Sequence, residues 1–281
     1  MGCPAGPSAC VAIGHKQPAY NSPMKTFTLH QGTAPLLVSV PHDGTAVPED
    51  IAARLTDSAR KVPDTDWHIA RLYDFAREMG ASMIVPVYSR YVVDLNRSED
   101  DVSLYPGQNT TGLCPVVRFS GEPVYREGME PTPEEITARV ETFWRPYHDA
   151  LRAELDRIRA EHGRAVLWEG HSIRGELPFL FEGRLPDLNL GTAGGASCSP
   201  GLQQRLEAVL DGQDEYDFVV NGRFKGGHIT RHYGDPANGI EAVQMETSQR
   251  AYMDEASFDW DEAAAARVQP LLRGLLEATL G

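Results

Sequence analysis

The strongest constraint on the fold is a repeated alternation. Short apolar runs of strand length, each passing into a polar cluster, are separated by stretches with helical spacing. Leu36-Leu37-Val38-Ser39-Val40 runs into Pro41-His42-Asp43-Gly44, and Ala165-Val166-Leu167-Trp168 runs into Glu169-Gly170-His171-Ser172. Runs of this length bounded by turn residues read as strands buried on both faces. Further strands are predicted at 27–29, 83–87, 91–94, 218–220 and 240–245. Ile69, Leu72, Ala76 and Met79 recur at helical spacing and predict a helix over about 66–79, closed by Gly80. Thr132-Pro133-Glu134-Glu135 supplies an N-cap, a first-turn proline and a capping-box glutamate for a long helix to about Gly163, kinked at Pro146. Ser199-Pro200 opens another helix, and a closing helix runs from 261 to about 279. Strands alternating with helices predict an α/β three-layer sandwich with a mixed, mostly parallel central sheet. In such sheets functional groups gather beyond the carboxyl ends of the strands.

Composition sets the outer limits. The 281 residues, 41% hydrophobic, suffice for one domain with a sizeable core. Lys and Arg number 26 against 40 Asp and Glu, and the net charge of -14 repels phosphate backbones and anionic lipid. Neither nucleic acid nor membrane is an expected partner. No apolar run approaches the ~20 residues of a membrane span, and no secretory core precedes the first strand, so a cytoplasmic location is expected. Residues 1–23 are aperiodic and rich in Gly, Pro, Ser and Ala. They read as a disordered extension, leaving 24–281 as a single catalytic domain. Cys3, Cys10, Cys114 and Cys198 lack metal or disulfide spacing and read as reduced, structurally minor thiols. Oligomeric state leaves no mark in the sequence.

Three polar clusters carry the chemistry: Pro41-His42-Asp43-Gly44, Asp64-Thr65-Asp66-Trp67-His68 and Glu169-Gly170-His171-Ser172. A catalytic zinc takes three protein nitrogen or oxygen ligands and keeps one position open. His42, Asp66 and His171 meet that need. On spacing alone each histidine also serves as a hydrogen-bonded loop residue, and Asp66 equally as the N-cap of the following helix. Asp94-Leu95-Asn96-Arg97 then puts an amide and a guanidinium at a predicted strand end. Planar Arg suits a bidentate grip on a carboxylate or the stabilising of an oxyanion.

Taken together and in order, Val40-Pro41-His42-Asp43-Gly44, Thr65-Asp66-Trp67, Asp94-Leu95-Asn96-Arg97, Gly170-His171-Ser172 and Val243-Gln244-Met245-Glu246-Thr247 resemble the N-formylglutamate amidohydrolase family of histidine degradation. The resemblance covers roughly 33 to 270. It implies a zinc-carboxypeptidase-like fold and one Zn2+ per chain, on His42, His171 and a carboxylate. It also implies hydrolysis of N-formyl-L-glutamate to formate and L-glutamate, with Asn96 and Arg97 gripping substrate and Glu246 as base. Zinc carboxypeptidases draw their carboxylate ligand from a His-x-x-Glu turn, but Thr45 stands three residues after His42. Asp66 is therefore preferred over Asp43, Asp64 or Glu49. A His/His/Asp site also accepts cobalt, nickel, manganese or iron. Read without the family, a glutamate at 246 is more often a solvated strand end.

The segment from Asn221 to Gly234 packs basic and imidazole groups into a glycine-rich stretch of an acidic protein, which suggests an anion site. Arg223 and Arg231 are assigned to substrate carboxylates, with Arg118 and Lys225 as helpers. His228 and His232 have His-x3-His spacing, but the flanking glycines argue against a helix that would join them on one metal. His148 and His162 read as solvated residues of the long helix. Gly170-His171-Ser172 lacks the second glycine of a nucleophile elbow, and Gly191, Gly194 and Gly195 lack phosphate-loop spacing. The expected partner is a small acidic molecule. Two other readings stay open, a zinc amidohydrolase acting on another N-acyl amino acid or acidic peptide, and a non-catalytic anion-binding protein.

Overall fold

The computed structural model describes residues 25–103, 107 and 109–281; the proposed extension over 1–23 lies outside them. Seven strands form one sheet: β1 (Phe27–His30), β2 (Leu36–Ser39), β3 (Ser82–Pro86), β4 (Ala165–Ile173), β5 (Leu188–Gly191), β6 (Phe218–Val220) and β7 (Ile240–Ser248). Their spatial order is β1-β3-β2-β4-β7-β5-β6. β2 pairs in parallel with β3 and β4, β4 with β7, and β5 with β6, while β1 with β3 and β5 with β7 are antiparallel. The helices are α1 (Glu49–Ala52), α2 (Ile69–Leu72), α3 (Phe75–Glu78), α4 (Pro133–Arg139), α5 (Arg145–His162), α6 (Pro200–Asp211), α7 (His228–Tyr233) and α8 (Glu262–Leu280).

Period-2 alternation in the central strands builds two cores. Leu36, Val38, Val166, Trp168, Val243 and Met245 enter the core shared with α2, α3, α6 and α8. Leu37, Ala165, Leu167 and Ala242 enter the one shared with α5 and α7. Helices thus cover both faces, as the alternating sequence pattern predicts. Among the described residues, no helix is long and apolar enough to cross a membrane. Cys114 and Cys198 are free and buried.

Several local expectations change. The segment 91–94 is not a strand: Val92 N bonds to Ser89 O and Asp94 N to Leu113 O, so it is a buried turn-rich stretch. The helix over 66–79 splits into α2 and α3, because fully buried Tyr73 packs against Gly170 and i→i+3 bonds such as Ala76 N to Tyr73 O replace the regular ladder. Gly80 does close it, with φ of 78°. Pro146 lacks the N–H that a regular helix needs there, and the chain widens into a π turn, Val140–Trp144, between α4 and α5. β5 escaped the sequence reading. His228–His232 are helical despite the preceding glycines, their rings stacked at 5.0 Å. His148 is buried, not solvated, with Nε2 2.9 Å from Leu95 O and Nδ1 2.9 Å from the Tyr233 hydroxyl.

Candidate metal centre and cleft

Because β2, β4 and β7 run parallel, their carboxyl ends open on one edge of the sheet. His42 follows β2, while His171 and Glu246 sit opposite each other near the ends of β4 and β7. Both polar groups lie inside their strands, not beyond them. Glu169, His171, Gln244 and Glu246 share the parity of Ala165, Leu167 and Ala242, so they project toward the α7 side. Asp66 joins them from the loop before α2. Its backbone N bonds to His42 O at 3.1 Å, and its Oδ2 accepts the Ser172 amide at 3.0 Å.

His42, Asp66 and His171 bring ligand atoms within 4.8 Å of one another, all buried. Their orientation fits a cation. Asp66 Oδ2 lies 3.0 Å from His171 Nδ1 and 3.7 Å from His42 Nδ1. Each Nε2 is engaged elsewhere, His42 donating to Asp94 Oδ1 at 2.7 Å and His171 to Glu169 Oε1 at 2.7 Å. A carboxylate behind each imidazole is how proteins fix the tautomer that frees the other nitrogen for metal. Burial opposes protonation of His171, yet Glu169 and Asp66 overcome it and hold its pKa well above the usual value. Burial also opposes the charge on Asp66, but hydrogen bonds from His171 and His42 hold its pKa low. The rival ligands have other work. Asp43 Oδ1 caps α2 at Ala70 N, the role Asp66 shared on spacing; Asp64 accepts from Tyr91 and Phe119; Glu49 is exposed.

Glu246 lines the cleft beside the triad with Asn96, Arg97 and Arg223. Burial pushes its carboxyl up to about 8. Asn96 stands 3.0 Å from His171 Nε2 and its Oδ1 accepts the Ile229 amide at 2.9 Å, a fit that needs glycine at 227, where a Cβ would strike the Asn96 side chain. Arg97 is pinned by Thr111 O (2.9 Å), Thr111 Oγ1 (3.4 Å) and Asn96 O (3.0 Å). Three groups in this neighbourhood were missed from sequence. Arg90, buried, binds Asp94 Oδ2 at 2.6 Å, approaches Asp66 at 3.9 Å and keeps an unpartnered Nε. Gln244 Oε1 receives the Gly227 amide at 2.7 Å. Glu169, whose other oxygen accepts from Thr230, shares a strand face with His171, and that i, i+2 spacing was the signal for it. Arg231, exposed on α7 with Nε on Gly226 O, is not in the cleft lining; Arg118 lines an adjoining pocket, and Lys225 is exposed.

Comparison with known proteins identifies the family. The N-formylglutamate amidohydrolase family model matches residues 34–253. N-formylglutamate deformylases of Pseudomonas putida and Pseudomonas aeruginosa are each 52% identical over 257 residues, spanning 91% of this chain and 96% of theirs. The crystal structure of N-formylglutamate amidohydrolase from Ralstonia eutropha JMP134 matches with a TM-score of 0.78 at 25% identity, over 91% of this chain and 98% of that one. A gene product of Agrobacterium tumefaciens shares the fold, with a TM-score of 0.69 at 17% identity over 92% and 94% of the two chains. From the family match and the length over which the relatives align, the chain belongs to the N-formylglutamate amidohydrolase family.

Proposed function

We propose that the protein hydrolyses N-formyl-L-glutamate to formate and L-glutamate, with a divalent metal, zinc in the first instance, as a cytoplasmic step of histidine degradation. The observation that carries this reading is Glu246 in one cleft with a His/Asp/His triad and arginines, in a chain 52% identical to N-formylglutamate deformylases. His42, Asp66 and His171 would hold the cation, which when bound would supply Lewis acidity to water and to a carbonyl oxygen. The remaining steps belong to the chain. Glu246 takes a proton from the attacking water and passes it to the departing nitrogen. Burial raises its pKa to about 8, close enough to neutrality for one carboxyl both to accept and to donate. Arg90, with an unpartnered Nε and its Nη1 3.9 Å from Asp66, brings fixed positive charge to the cleft where the carbonyl oxygen becomes negative. Arg97 spends three donors on the chain and keeps two of its five for a carboxylate. Asn96 orients the same substrate, and Arg223 lines the same cleft.

The test is release of the free amine, with formate or acetate measured as the matching acyl product, from N-formylglutamate, N-formylglutamine, N-acetylglutamate and N-acetylaspartate, with metal-stripped and zinc-restored protein. N-formylglutamate is expected to be fastest and only in the restored protein. N-formylglutamine, losing one charge-assisted contact, is expected to be about ten- to a hundredfold slower in kcat/KM. N-acetylaspartate as the best substrate would replace the deformylase reading with another amidohydrolase, and full activity after stripping would remove the metal.

A further inference from the structure

A second pocket adjoins the cleft, sharing Phe119, Ser172 and Ile173 with its wall and lined further by Thr65, Arg118, Arg174 and Gln249. Each of the latter four buries a polar atom with no hydrogen-bond partner: Thr65 Oγ1, Arg118 Nε, Arg174 Nε and Gln249 Oε1. Buried polar atoms in proteins are nearly always paired, so four around one pocket mark a place built to meet a polar ligand. The side chains are held firmly. Thr65 and Gln249 are 1% and 2% exposed, and Gln249 Nε2 donates to Thr65 O at 3.0 Å.

The local charge favours an anion. Arg118 is buried, and its ion-pair partner Glu122 has a side chain 63% exposed. A pair with so exposed a carboxylate is weak, and an incoming carboxylate can take that place. The Arg174 guanidinium lies 5.1 Å from the Phe258 ring. Asp64, the other acid of the wall, is occupied by the Tyr91 hydroxyl at 2.8 Å and the Phe119 amide at 2.9 Å, and burial raises its pKa. Phe119 forms the partition, and on it Arg90 of the cleft stacks at 4.7 Å. Two guanidinium groups and a hydroxyl offer donors to a carboxylate, and the amide oxygen beside them offers an acceptor to the ammonium of an amino acid.

We propose that this pocket binds an amino-acid carboxylate through Arg118 and Arg174, with the Thr65 hydroxyl donating to it and Gln249 Oε1 placed to accept from the ammonium group of a free amino acid. The carboxylate comes either from the far end of a substrate seated in the cleft or from a separate free amino acid of the product class. The first source rests on the deformylase reading; the second does not.

The experiment uses the full metal-loaded chain and the variants Arg174→Gln, Arg118→Gln and Gln249→Leu. L-glutamate binding is read by calorimetry, and kcat/KM is read for N-formyl-L-glutamate against N-formyl-L-alanine. If the far carboxylate is the ligand, Arg174→Gln and Arg118→Gln reduce the preference for glutamate about tenfold or more through KM. If a free amino acid is the ligand, that preference stays and L-glutamate binding weakens about tenfold or more. Unchanged preference together with unchanged L-glutamate binding in Arg174→Gln, at an unaltered melting temperature, overturns the proposal. Should Arg118→Gln fail to fold, part-buried Arg174 and neutral Gln249 still decide it. A protein without activity on any formyl amino acid would end the deformylase reading, while the calorimetric arm would still read the pocket.

Discussion

His171 and His148 are both buried on the α7 side of the sheet, yet their surroundings drive them in opposite directions. Burial disfavours the charged form of each. At His171, Glu169 on one nitrogen and Asp66 on the other reverse that penalty and hold its pKa well above the usual range. At His148 the partners are a carbonyl and a hydroxyl, and burial carries the pKa down to about 3. His228, stacked on His232 and tilted against His148 at 5.7 Å, falls to about 4 for the same reason. A cluster of imidazoles is therefore not yet a metal site. Carboxylates decide which histidine offers a fixed, electron-rich nitrogen. Helix α7 touches both regions, carrying His228 and His232 on one flank and, on the other, the Ile229 amide toward Asn96 and the Thr230 hydroxyl toward Glu169.

The comparison breaks most sharply at the ligands and the base. His171→Ala is expected to reduce bound metal to near none, while His148→Asn retains it; metal analysis of the two purified variants checks this, and full occupancy in His171→Ala would sink the ligand assignment. Glu246→Gln keeps metal and fold but loses about 100-fold or more in kcat, since an amide cannot take the water's proton. Near-normal turnover would remove Glu246 from the mechanism. Smaller is the effect of the carboxylate behind His171. Glu169→Gln is expected to weaken metal binding about 10- to 100-fold in a competition titration with a chelator, with Glu169→Asp recovering part of it. Equal affinity in Glu169→Gln would mean that the imidazole needs no carboxylate there.

Much of this was legible because β4 and β7 keep strict alternation, so apolar Ala165, Leu167 and Ala242 announce where His171 and Glu246 must point. Less legible was where each strand stops. The pairing of β4 with β7 continues through Glu169, His171, Gln244 and Glu246, because neighbouring backbones supply hydrogen bonds whatever the side chains are. Tyr91-Val92-Val93 has strand composition but turn geometry, since its partners are Ser89 and Leu113 and not a neighbouring strand. Arg90 was invisible for a related reason: only the fold places it between Asp94 and Asp66, which lie on different segments. Arg231 shows the converse, a basic residue in a promising stretch that α7 turns outward.

Stability against pH gives the smallest effect and separates the two histidine regions without involving metal. The folded-state pKa of His148, about 3, lies below the ordinary value of 6.5, so the unfolded chain binds the extra proton first. Its contribution is therefore fully present above about pH 6.5 and is lost as pH falls toward 3. With 1.36 kcal/mol per pH unit in that window, about 2 kcal/mol disappears between pH 7 and pH 5. His228 and His232, also shifted down, act in the same sense and remain in both proteins compared. Asp43, raised to about 6 by burial, acts in the opposite sense and is likewise common to both. Urea unfolding of the wild type and of His148→Asn at pH 7, 6 and 5 isolates the difference. The variant starts less stable, having lost a buried ring stacked 3.6 Å from Trp144, but its stability is expected to fall less steeply with acid. Parallel slopes for the two proteins would mean that His148 titrates alike folded and unfolded, and the contrast with His171 would then lie in the metal ligands alone.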